Sequence, residues 1–113
     1  MSEKRRIEIT DWQLSEDLNT LSETDDTAAE AKVEELRSKY LMERTEYIEK
    51  LGAVGTVAER EAKAKTSQKY MKAEETYLTA MTNNEKLKAK RASAAIRIEV
   101  WRSKNANRRT GNI

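Results

Sequence analysis

The residues of this chain best suited to chemistry lie near its end. Lys86, Lys88, Lys90, Arg91, Arg97, Arg102, Lys104, Arg108 and Arg109 stand against the single Glu99 over residues 86–109. Lysine and arginine neutralise phosphates, and asparagine hydrogen-bonds phosphate oxygens or base edges. An aromatic ring held among them can stack on a base. Arg97, Trp101, Arg102, Lys104, Asn105, Asn107, Arg108 and Arg109 therefore form a candidate surface for nucleic acid, DNA ahead of RNA, or for an acidic partner protein. A second reading competes with it. Between Glu8 and Glu49 thirteen acidic residues face four basic ones. That acidic half can pair internally with Lys86–Arg97. It cannot absorb Arg102–Arg109, because the segment reaching that far, Met1–Arg6, is itself basic.

Catalytic chemistry finds little here. The chain has no histidine and no cysteine, which removes the commonest general base, the thiolate nucleophile and the usual metal ligands. Its carboxylates, such as Glu34-Glu35 and Glu74-Glu75, sit among lysines at helical spacing, where solvated ion pairs are expected. There is no glycine-rich phosphate loop and no nucleophile elbow. A non-enzymatic protein with no cofactor and no metal is expected. No apolar run is long enough to span a membrane, and the N-terminus lacks the pattern of a signal peptide. The expected location is the cytoplasm.

The elements that must position the basic end are helices. Apolar and charged residues each make up 37% of the 113 residues, too charged for a thick globular core but normal for coiled-coil-like chains. From Thr56 to Thr110 there is neither glycine nor proline. Within that stretch Tyr70, Ala73, Tyr77, Ala80, Asn84, Leu87, Arg91, Ala94, Ile98, Trp101, Asn105 and Arg108 follow one another at steps of three and four. That spacing draws one stripe along an α-helix.

Upstream, Trp12, Leu14, Leu18 and Leu21 predict a short helix over about 11–22, and Ser22–Thr27 reads as a break. A second helix over about 27–51 carries an apolar stripe of Val33, Leu36, Tyr40, Tyr47 and Leu51, widened by Leu41 and Ile48. Gly52-Ala-Val-Gly55 is a turn, with Gly52 as the left-handed residue. Thr56-Val-Ala-Glu59 is a capping box that starts a long helix over about 57–106, followed by a tail over 107–113.

The expected fold is thus a single all-α domain. It is a long antiparallel, coiled-coil-like helical hairpin, with the short N-terminal helix folding back on the end of the long one. A turn centred at Ala53–Val54 brings the apolar stripe of the second helix onto the long one. It sets Leu21 beside Lys86–Leu87 and Leu14 beside Ser93–Ala94. Asn84 and Arg91 interrupt the seam and are candidates to fix register. Ile96, Ile98, Val100 and Trp101 make one segment apolar on several sides, which marks a homo-oligomer interface.

The stretches Thr56-Val-Ala-Glu-Arg-Glu-Ala-Lys-Ala, Tyr70–Leu87 and Ala95–Gly111 together resemble small helical proteins of tailed phages and prophages. The resemblance covers the last half of the chain. It implies an accessory protein grouped with DNA replication or recombination, working in the host cytoplasm with nucleic acid or with a host or phage protein. It carries over no catalytic residue. The alternative function is a protein-interaction module: a coiled-coil adaptor, an inhibitor using the acidic half as a nucleic-acid mimic, or a structural assembly coiled coil.

Overall fold

The computed structural model describes residues 9–109. Among them are three helices and no strand: α1 over Asp11–Gly52, α2 over Val57–Lys65 and α3 over Gln68–Arg109. The chain is an all-α helical hairpin. The segments expected before Ile9 and after Arg109 lie outside the described residues.

Each helix start has a local cause. Thr10 caps α1, its hydroxyl accepting from the Gln13 N–H at 3.1 Å. Thr56 caps α2 in the same way, accepting from Glu59 N–H at 3.2 Å. A hydroxyl at this position satisfies one of the four N–H groups a helix start leaves without a partner.

The turn falls where the sequence places it, but the glycine with positive φ is Gly55 and not the expected Gly52. Gly52 ends α1 with ordinary dihedrals, and Gly55 is the residue with positive φ, at +130°. A Cβ at Gly55 would collide with the Glu59 carboxylate, which folds back over the turn. Lys63 Nζ and Arg60 Nε tie the turn down, donating to the carbonyls of Val54 at 2.6 Å and Gly55 at 3.0 Å.

Two helix boundaries differ from expectation. The break expected at Ser22–Thr27 does not occur, since α1 runs through it. The Thr24 hydroxyl donates to the Thr20 carbonyl, so a group that could have capped a new helix is absorbed by the existing one. Conversely, the helix expected to run unbroken from residue 57 stops at Lys65. Ser67 then serves both sides of the break. Its hydroxyl donates to the Ala64 carbonyl at 2.8 Å and accepts from Tyr70 N–H at 3.1 Å.

The helices group into two compact units, Thr27–Leu87 and the described residues on either side of it. In the unit Thr27–Leu87, the seam of α3 is the buried one. Tyr70, Ala80 and Asn84 are buried, and Ala73, Tyr77 and Leu87 half-buried. What faces inward from α1 is a polar stripe: Ala31, Glu35, Ser38, Met42, Thr45 and Glu49 are buried or half-buried. The expected packing face of α1 points the other way. Val33, Leu36, Tyr40, Leu41, Tyr47, Ile48 and Leu51 are all exposed.

The physical reason lies in the α3 seam, which is narrow and carries a buried amide. Asn84, 2% exposed, donates through Nδ2 to Glu35 Oε2 at 2.8 Å. A buried amide without a partner costs several kcal/mol in an apolar setting, and the polar stripe of α1 supplies the partner. Glu35 lies on the polar stripe. Near the turn Glu46 and Glu61 add longer contacts to Lys65 and Lys50 at 3.8 Å.

Candidate nucleic-acid interface

In the other unit the start of α1 pairs with the end of α3 through charge. Asp17 is 3% exposed and holds Arg97 by two prongs: Nε to Oδ2 at 2.9 Å and Nη2 to Oδ1 at 2.8 Å. The Asp17 carboxylate, by accepting these bonds, raises the guanidinium pKa above its ordinary value. Six residues earlier, Arg91 threads into α1. It donates to the Leu21 carbonyl at 3.0 Å, to the Thr24 hydroxyl at 2.7 Å and to Asp25 Oδ1 at 2.6 Å. Between the two arginines Ala94 is fully buried, and its small side chain permits the close approach.

These pairs correct the expected register. That register would set Asp17 beside Lys90, and the observed partner Arg97 lies one heptad further on. The displacement differs from pair to pair, seven residues for Asp17–Arg97 and nine for Asp25–Arg91, so each carboxylate takes the arginine that reaches it, and Asp17 takes Arg97 with two bonds.

The candidate surface residues divide accordingly. Arg97 is committed to Asp17. Trp101 is half-buried, with Nε1 3.4 Å from Asp11 Oδ1, so its ring is partly covered by the start of α1. Arg102 is exposed and makes a solvent-facing pair with Glu99, at 3.1 Å. Lys104, Asn107 and Arg108 are exposed and Asn105 is half-buried. Ile9, Thr10 and Asp11 join Trp101, Lys104, Asn105 and Arg108 around one shallow polar depression. The Arg109 side chain lies outside the described residues.

Of the apolar segment, Ile96 is exposed while Ile98 and Val100 are half-buried. Ile96 and Val100 share an open groove with Ala95, Glu99 and Ser103. Ile98 belongs to the internal seam, as its heptad position dictates.

Sequence reasoning missed Asp17 and Thr24 as the partners that take arginines out of the basic set. The signal that could have found them is that both fall at heptad positions of α1 shared with Leu14, Leu21 and Ala28. Among the described residues no cluster of acidic, histidine or cysteine side chains could hold a metal ion. Among the described residues no helix is long and apolar enough to cross a membrane.

No family model matches this sequence, and no curated protein or solved structure shows significant similarity to it. Geometry alone therefore carries the functional reading.

Proposed function

We propose that this chain is a non-enzymatic accessory protein that binds nucleic acid, or a complex acting on it, through the exposed end of α3. The observation that carries this reading is a division among the cations. Arg91 and Arg97 are taken by α1, whereas Lys90, Arg102 and Arg108 keep their charges at the surface. The exposed i,i+3 pair of Arg102 with Glu99 is weak enough to yield to a phosphate. Asn105 and Lys104 lie in the same depression as Arg108 and add donors. Phosphate contacts of this kind position a protein on a strand without reading its sequence.

The test is fluorescence anisotropy of labelled single- and double-stranded DNA at two salt concentrations. Binding should weaken steeply with salt. Arg102→Ala with Arg108→Ala should flatten the log–log slope by roughly 1.8, about 0.9 for each phosphate no longer neutralised. No binding at low salt would sink the reading. The acidic-mimic alternative loses ground to the internal use of Asp17 and Asp25, while a protein-interaction role draws on the outward apolar face of α1.

A further inference from the structure

The outward face of α1 is a second heptad seam. Val33, Arg37, Tyr40, Arg44, Tyr47 and Leu51 follow one another at steps of four and three without a miss. They lie on the side of α1 opposite the buried stripe of Ser38, Met42 and Thr45, and all six are exposed. Leu36, Leu41 and Ile48 flank them, also exposed. Val33, Arg37, Tyr40 and Arg44 already share one continuous shallow groove. From Val33 to Leu51 the seam is ~27 Å long at the rise of an α-helix.

We propose that this seam joins two copies of the chain, α1 packing antiparallel against α1 of the second copy. The seam favours a copy over a foreign partner because its sequence is complementary to itself when reversed. A two-fold axis at residue 42 sets Val33 against the second copy's Leu51. It sets Tyr40 against Arg44 and Arg37 against Tyr47. The two aliphatic ends of the seam meet each other, and every seam arginine meets a tyrosine ring, which attracts a cation over its face. Antiparallel coiled coils pair their alternate seam positions in this way, and an isologous interface demands such self-complementarity.

This interface lies in the unit Thr27–Leu87 and is distinct from the one expected at Ile96–Trp101. It stands whether or not the basic end binds nucleic acid.

Sedimentation equilibrium of the full chain tests it. The expected species is a dimer, twice the 13.0 kDa of one chain. Tyr40→Glu combined with Tyr47→Glu should yield monomers that remain helical by circular dichroism, and Ile96→Glu should leave the dimer intact. A monomeric wild type, or a dimer that survives the tyrosine pair, overturns the proposal. Direction is tested by cross-linking, with no background because the chain lacks cysteine. A mixture of Val33→Cys and Leu51→Cys proteins should form a disulfide between unlike chains. Cross-linking of Val33→Cys with itself would overturn the antiparallel arrangement.

Discussion

Cutting the Asp17–Arg97 pair from its two sides should cost different amounts. The Asp17 side chain is 5% exposed and that of Arg97 36%. Arg97→Ala leaves a carboxylate without its partner where water hardly reaches. That is the costly case for a broken ion pair, about 3 kcal/mol, the low end of the buried range because one rim of the pair is wet. Asp17→Ala strands a guanidinium that can turn outward and rehydrate. Its cost is that of the charged hydrogen bonds it removes, about 1.5–2 kcal/mol. The double variant should cost less than the two singles together, with a coupling of about 1.5 kcal/mol or more. Arg97→Lys should fall in between, since an ammonium keeps the charge and loses the two-pronged fit. Urea denaturation followed by circular dichroism, at one fixed protein concentration because association shifts apparent stability, gives all four values. Raised salt should change them little, since a covered pair is poorly screened. Equal costs for the two alanines, or a coupling below about 0.5 kcal/mol, would show that the pair behaves as a surface contact and would refute the reasoning.

The turn and the buried phenol offer further checks. Gly55→Ala should destabilise the hairpin by about 1–2 kcal/mol, because its φ of +130° strains any Cβ and Glu59 occupies the space; an unchanged urea midpoint would contradict this. Tyr70 should ionise above its ordinary 10.0, pushed up first by burial and then by the charges of Glu74 and Glu46. The folded protein then holds the phenol proton more tightly than the unfolded chain does. Its contribution to stability is whole below pH 10.0 and is lost as pH rises through the folded value. A phenolate absorbance titration should show this late component in the wild type and not in Tyr70→Phe.

The α3 seam was legible because heptad spacing is a local property: every seam position from Tyr70 to Asn105 is at least half-buried, and only Arg108 is exposed. The Thr56 cap and the turn were legible for the same reason, since their partners lie within a few residues. Ser67 shows the limit of local signals. Its hydroxyl caps the start of α3 inside a stretch expected to be one unbroken helix, whereas the Thr24 hydroxyl bonds back to Thr20 inside a stretch expected to be a break.

Sequence by itself determined that this chain is helical, that it turns at Gly52–Gly55, and that the helix before the turn carries an apolar stripe. Which side of α1 faces α3 was decided only by tertiary structure. Asn84, Arg91 and Arg97 on α3 need partners, and the partners Glu35, Asp25 and Asp17 are far away in sequence. Satisfying those groups turns the polar stripe inward and leaves Tyr40 and Tyr47 outside. The same choice divides the basic end. Charge along the chain marked nine cations alike, and only the fold showed that Arg97 closes on the buried Asp17 and Arg91 on Leu21, Thr24 and Asp25.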